Sequence, residues 1–353
     1  MNPRLSPSTI DELVDAVRST PHLLPVGAQT KPRLSQVDAT ILDTKRLKGI
    51  TEYEPSEFTF TALAGTPLGE ISAALAERGQ YLPFDPMLAK SGATLGGTVA
   101  AGLSGPGRFR YGGLRDFILG VQFVDGSSQL LRMGGKVVKN AAGFDLPKFL
   151  VGSLGRFGVI VELTFKVFPR PASLLTVRIP VDGAAAAARV VIEASRARWE
   201  LDALDVSLSE RAVFMRLGGP SDSNSALAAE ILAKWAGEVF VDADAWWSGV
   251  TEFAWAPSGD VLLKAPLTPT KIIRLCDGLP DSARVHLTAG GNTAWISLPP
   301  ANVAALDANL REFQLSGLVL CGDSPIKLGL WPTTALASRV KSVLDPLNRF
   351  PPH

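Results

Sequence analysis

The sequence predicts an α+β protein built in two unlike units. Three observations carry this. Strand-like and helix-like segments in the first half surround a glycine-rich stretch at residues 85–116. Pro169 and Pro171 then break the chain. Beyond them, antiparallel strand signals alternate with helices, the pattern of an α+β domain. The length of 353 residues suffices for two domains.

Taken in order, residues 8–19 read as a helix, with Ser8 as N-cap, Asp11 at N3 and Glu12 beside it. Its apolar face is Ile10, Leu13, Val14 and Val17. Residues 22–26 form a short strand that runs into Gly27. Residues 39–43 form a second strand, followed by a basic turn of Lys45, Arg46 and Lys48. Segments 50–53 and 57–64 alternate like strands. Residues 66–78 make an amphipathic helix, with Leu68, Ile71, Ala74 and Leu75 inward, stopped by Gly79. Segments 118–123 and 128–133 flank Asp125-Gly126, a hairpin signal. Residues 151–158 form a glycine-spaced turn, and 159–168 a strand that closes the unit.

In the second half, strands are expected at 174–181, 203–208, 212–217, 261–265, 284–289 and 294–298. Helices are expected at 184–198, 225–236, 300–313 and 334–344. Trp246, Trp247 and Trp255 read either as core or interface anchors or as a lid over a bound group.

Residues 85–116 have the most to say about function. Gly92, Gly96, Gly97, Gly102, Gly105, Gly107, Gly112 and Gly113 sit among Ala, Ser and Thr, and such a stretch makes no core of its own. It reads either as tight turns or as backbone brought close to an anion, where N–H groups and the hydroxyls of Ser91 and Thr94 could donate. Arg108, Arg110 and Arg115 add cations. No Walker loop is present, nor a GxGxxG after an opening strand.

A hydrophobic content of 46% with 20% charged residues predicts a soluble globular chain. Net charge +1 gives no electrostatic case for nucleic acid or an anionic membrane. Cys276 and Cys321 match no metal or redox spacing, and two thiols cannot hold an iron–sulfur cluster of four thiolates. The N-terminus has no signal-peptide pattern and no run reaches transmembrane length. A cytoplasmic protein is expected, with membrane contact at most peripheral and through partners.

Five segments in fixed order carry a resemblance: P-V-G-x-x-T-K from Pro25, D-P-x-x-x-x-S-G-A-T-L-G-G from Asp85, R-Y-G-x-x-R-D from Arg110, K-N-A-A-G-F-D-L-P-K from Lys139, and G-S-L-G-x-x-G-V-I from Gly152. Together they resemble the vanillyl-alcohol-oxidase-type (PCMH-type) FAD-binding proteins over roughly residues 5–170. Within that family they are most similar to the smaller flavin-binding subunits of glycolate oxidase (glycolate dehydrogenase) complexes.

The resemblance implies a two-part PCMH-type FAD-binding domain at residues 1–170, split near 50. An α+β cap domain with an antiparallel sheet follows at 171–326, then a C-terminal return segment at 327–353. It implies noncovalent FAD held by Pro25, Gly27, Ala28, Gln29, Thr30, Lys31, Pro86, Ser91, Gly92, Ala93, Thr94, Gly96, Gly97, Arg110, Tyr111, Gly112, Asp116, Lys139, Asn140, Gly143, Asp145, Gly152, Ser153, Gly155, Gly158, Val159 and Ile160. Gln29 stands where the family's usual pattern has a glycine. Its side chain could narrow the approach to the phosphates or donate to them. Lys139, Asn140, Asp145 and Lys148 read as surface groups or as flavin-facing ones. Residues 344–352 resemble the family's closing segment, which returns to the flavin domain.

Larger catalytic relatives carry an H-x-G-D-G-N-x-H-type motif in the cap. Here residues 285–298 keep its shape, but Gly290 falls where the Asp would be and Ala294 where the second His would be. No metal site is expected, and His286 reads as a core or surface residue before a catalytic one. No catalytic residue is assigned.

The leading reading is an FAD-binding subunit that relays electrons from 2-hydroxy acid oxidation. Its partners would be a larger catalytic flavoprotein subunit, which handles glycolate, and an iron–sulfur subunit. The alternatives are a stand-alone FAD-dependent 2-hydroxy acid dehydrogenase, with Arg110, Arg115 or Lys139 on the carboxylate, and a flavin-free structural subunit.

Overall fold

The fold was analysed in a computed structural model that describes residues 3–135, 146–332 and 335–352. The first helix, Ile10–Ser19, starts one residue later than expected. Thr9, not Ser8, is the N-cap and accepts from the Glu12 N–H at 3.1 Å. The Glu12 carboxylate turns back to accept from both the N–H and the hydroxyl of Ser8. The capping-box chemistry is present but shifted by one position.

Among the described residues, the first half contains two larger sheets and a short pairing of Gln80–Tyr81 with Phe168–Pro169. A small parallel sheet orders Arg4–Leu5, Thr40–Asp43 and Leu23–Val26, with Thr40–Asp43 in the middle. An antiparallel five-stranded sheet runs in the order Ile50–Glu54, Thr59–Leu63, Val159–Lys166, Ile118–Val124, Leu130–Gly134. The Asp125-Gly126 signal marks a real hairpin. Asp125 Oδ1 accepts from the N–H groups of Ser127 and Gln129 and shapes the turn.

Between these sheets lies a helix that was not expected, Leu95–Ala101. Its Gly-Gly-Thr sequence has poor helix propensity, so its stability comes from position rather than composition. Thr94 caps it, its Oγ1 accepting from the Gly97 N–H, and Gly102 ends it at φ 64°. A Cβ on Gly96 would lie 2.7 Å from the Ala64 Cβ, so the glycine lets this helix press against the end of strand Thr59–Leu63. Leu95, Thr98 and Val99 are buried. The glycine-rich stretch makes no core of its own, but Leu95, Val99 and Ala101 join a core built with Phe60, Leu68, Ile71 and Leu163.

The second half is a nine-stranded antiparallel sheet. Its order is Glu238–Val239, Ser173–Pro180, Ala212–Gly219, Leu201–Ser207, Arg284–Thr288, Thr293–Leu298, Val261–Pro266, Ser316–Cys321, Lys327–Gly329. Helices Ala184–Arg196, Ser221–Lys234, Ile272–Asp277 and Val303–Glu312 bury apolar faces in the core of this sheet. Trp246 stacks on Phe214 at 3.7 Å, and the Trp247 Nε1–H donates to Thr176 at 2.9 Å. Trp255 stacks on His286 at 5.8 Å. All three tryptophans anchor the second unit and none lies over the central cleft described below.

A buried ion pair and the returning C-terminal segment are among the links that hold the units together. Arg216 of the second unit reaches Asp202 and, across the boundary, Asp85 of the first, each at 2.5 Å. The C-terminal segment then crosses back. Phe350 enters the core formed by Leu13, Val17 and Leu23, and the Arg349 carbonyl accepts from the Leu23 N–H at 2.7 Å. Lys341 ties this tail down by donating to Asp345 and to the carbonyls of Arg156 and Phe350.

Candidate functional site

The strand Leu23–Val26 ends at a loop, residues 27–31, that closes over the N-terminal end of helix Leu95–Ala101. A Cβ at Gly27 would lie 2.1 Å from Thr94 Oγ1, so the approach of loop to helix end requires glycine there. Two small cavities of about 60 and 40 Å³ lie here. They gather Pro25, Gly27, Ala28, Gln29, Thr30, Lys31, Thr94, Gly96, Gly97, Gly155, Gly158 and Ile160.

Lys31 is 7% exposed, and its Nζ meets Thr30 Oγ1 at 3.0 Å with no carboxylate partner among the described residues. Burial pushes its ammonium down to about 8. A buried cation with no counter-ion is costly unless an anion joins it. Between pH 8 and the ordinary lysine value of 10.5 the unfolded chain holds a proton that the folded chain lacks, so stability of the ligand-free chain should rise across that range. Affinity for a pyrophosphate-bearing ligand should fall over the same range, as the cation is lost. Melting temperature and dissociation constant measured from pH 7 to 10 would show the two opposite slopes.

Beside this loop a cleft of about 780 Å³ opens between the two units, a volume typical of a ligand site. Among the described residues, Arg33, Arg108, Arg115, Arg156, Lys264 and Lys327 line it, against the carboxylate of Asp116. Asp116 already accepts from the Gly113 N–H at 2.8 Å. Arg156 is buried and has no carboxylate partner among the described residues. Lys264 faces the cleft from strand Val261–Pro266 and donates to the Gly102 carbonyl at 2.9 Å. Burial, with Arg108 nearby, brings its ammonium to about 8. Gly152, at φ 83°, has no atom within 4 Å of where a Cβ would stand, so the cleft wall is bare backbone there.

Of the expected site residues, Asp116 and Gly152 also line this cleft. Others do different work. Ser91 donates to Glu252 of the second unit at 2.6 Å. Arg110 pairs with Glu200 at 2.8 Å and Tyr111 packs on Tyr81 and Phe168. Pro86, Gly92, Ala93, Gly112, Ser153 and Val159 line none of the three cavities. Lys139, Asn140, Gly143 and Asp145 lie outside the described residues.

Sequence reasoning missed Arg33, Arg156, Lys264 and Lys327. Lys264 left a signal, a single charge inside the apolar run VLLKAP. His286 is buried, bonded to Asp205 at 2.9 Å, and lines none of the three cavities. Among the described residues, no group of three or more His, Cys, Asp or Glu could hold a metal ion.

Residues 4–134 match the family described as FAD binding domain. The chain is 38% identical over 231 residues to the glycolate oxidase subunit GlcE of Escherichia coli K12, covering 64% of each chain. It is 29% identical over 194 residues to the glycolate oxidase subunit GlcD of Bacillus subtilis, covering 54% of this chain and 41% of that one. It is also 29% identical over 183 residues to a D-2-hydroxyglutarate dehydrogenase of Xanthomonas citri, covering 49% and 39%. These matches thus span between 39% and 64% of the relatives' length. A solved alkyldihydroxyacetonephosphate synthase superposes with TM-score 0.69 over 98% of this chain and 76% of its own, at 15% identity. The fold is therefore the PCMH-type FAD-binding fold with a cap, and the buried lysine, the close-packed loop and the bare backbone wall fit FAD.

Proposed function

We propose, from the premise that residues 4–134 carry an FAD binding domain, that the chain is the FAD-binding subunit of a glycolate oxidase-type complex. That complex oxidises the CH–OH carbon of a 2-hydroxy acid, and this subunit relays electrons within it. The cleft, lined among the described residues by six cations and one carboxylate and sharing Ala101 and Leu154 with the cavity around Lys31, carries the reading.

FAD, when bound, supplies the two-electron acceptor. Lys31 and the loop backbone hold its pyrophosphate, with Thr94 fixing the loop from below. Lys264 and Arg108 hold an anion in the cleft. Among the described residues the cleft offers no imidazole, and its carboxylate is engaged. That favours a subunit whose chemistry is completed by a larger flavoprotein partner, with an iron–sulfur subunit taking electrons onward.

Leu330, Leu336, Val343 and Leu347, all well exposed, are apolar side chains that such a partner could cover. Among the described residues no helix is long and apolar enough to cross a membrane. We place the complex in the cytoplasm, touching membrane at most peripherally.

One observation favours a second reading, a stand-alone dehydrogenase. Lys264, at about 8, is neutral in part of the population near physiological pH and could accept the substrate hydroxyl proton. Visible absorption of the FAD-loaded chain, before and after anaerobic glycolate, separates the two. Flavin bands that stay unbleached, and bleach once a larger glycolate oxidase-type subunit is added, support the subunit reading. Bleaching by glycolate alone, lost in Lys264→Met, supports the second. A chain that takes up no FAD overturns both.

A further inference from the structure

Gln29 occupies the tip of the phosphate loop at φ 54°, the left-handed region that favours glycine. Its side chain does not point at the helix end. Gln29 Oε1 accepts from Arg4 Nη2 at 2.6 Å, and Arg4 Nη1 donates to Asp43 Oδ2 at 2.7 Å. Asp43 is buried and fixed in turn, its Oδ1 accepting from the Lys45 N–H at 3.0 Å. One guanidinium therefore joins the first strand, the end of the central strand, and the loop that follows the third. Thr94 presses on the loop at Gly27. The loop is held on one side by the cap of a helix and on the other by Arg4.

We propose that Arg4 is a positioning residue for the cofactor, acting through Gln29 to pre-form residues 27–31 for the pyrophosphate. The inference rests on the FAD reading above. Asp43 is shared by Arg4 and Lys45, and the two terminal nitrogens of Arg4 are spent on Asp43 and Gln29, so its effect on the phosphates runs through the geometry of the loop. A loop already fixed in its bound shape loses less freedom when ligand arrives. The left-handed strain at Gln29 persists because its side chain is anchored. This answers the question posed by the missing glycine: Gln29 neither blocks the phosphates nor donates to them, but braces the loop from outside.

The test is a double-mutant cycle read as FAD dissociation constants on the full chain. Arg4→Ala and Gln29→Ala are each expected to weaken FAD about tenfold, which is about 1.4 kcal/mol. The double variant should be no weaker than either single one. Gln29→Gly, which relieves the strained φ while cutting the anchor, should also bind more weakly. In the ligand-free chain, amide exchange of residues 27–31 should quicken in Arg4→Ala while the melting temperature stays within a few degrees. Tighter binding by Gln29→Gly, additive losses in the cycle, or variants that bind as the wild type does would each overturn the brace and leave the FAD reading standing. Failure of the wild type to bind FAD would overturn both. If Arg4→Ala does not fold, Gln29→Gly decides alone, since it changes only a loop side chain.

Discussion

Arg216→Leu is expected to destabilise the chain by about 3–5 kcal/mol, the cost of breaking a buried ion pair by removing one partner. Arg216 is 7% exposed and spans Asp202 within its own sheet and Asp85 across the domain boundary. Without it, two carboxylates remain enclosed. Burial already pushes Asp85 up, and Arg216 is the main force pulling it back. In the variant Asp85 would rise further and take a proton, so the folded form would hold a proton that the unfolded form lacks. Stability of the variant should then fall as pH rises, and its deficit against the wild type should be smaller at pH 5 than at pH 8. Urea midpoints at the two pH values check this. Arg216→Lys should rescue little, because one ammonium cannot reproduce a planar fork that meets two carboxylates. An equal deficit at both pH values would assign the loss to packing over Trp247 instead, where the guanidinium sits 4.9 Å from the ring centroid.

Gly27→Ala should weaken FAD binding by about a hundredfold or more, equivalent to about 2.7 kcal/mol. The added methyl would stand 2.1 Å from Thr94 Oγ1, and neither group has room to yield. Thr94 is buried and caps a helix end on which the loop depends. The clash is specific, so it has a specific rescue. Thr94→Ala removes the hydroxyl and leaves the new methyl 3.3 Å from the remaining Cβ, a tight but tolerable contact. The double variant should regain much of the binding, less the cost of the lost cap, about 1 kcal/mol. Flavin fluorescence titration reads both steps. Absence of rescue would mean that Gly27 is required for its backbone alone.

Much of this fold was legible because local signals agree with it. The Asp125-Gly126 turn and the strand pattern at Thr59–Leu63 each mark what the chain does there. Helix Leu95–Ala101 was illegible because glycine and threonine argue against a helix, and only the Thr94 cap and the packing on Ala64 reverse that. Strand Lys327–Gly329 was missed because it is a short edge element, and Ser316–Cys321 because its pairing is set by a distant strand, Val261–Pro266. Near the candidate site, the strand that runs into Gly27 was readable, and the expectation of a phosphate loop there came from the family resemblance. The cleft was not, because the six cations among its described lining residues come from segments spread between Arg33 and Lys327, and only folding brings the two units together around it. The link between Asp85, Asp202 and Arg216 escaped notice for the same reason, since no local pattern joins them.

The returning tail sets an order on the birth of the molecule. Phe350 fills the core beneath the first helix, and Lys341 holds the carbonyl of Arg156 beside the cleft. Every residue of the intervening sheet must be synthesised before these arrive. At about 5–20 residues per second that interval is on the order of ten seconds or more. Through it the nascent flavin unit waits with one wall of its core open, exposing Leu13, Val17 and Leu23 to whatever is near. The unit encoded first is thus the last to close, and a ribosome that stalls inside the second unit leaves the first with its core unfinished.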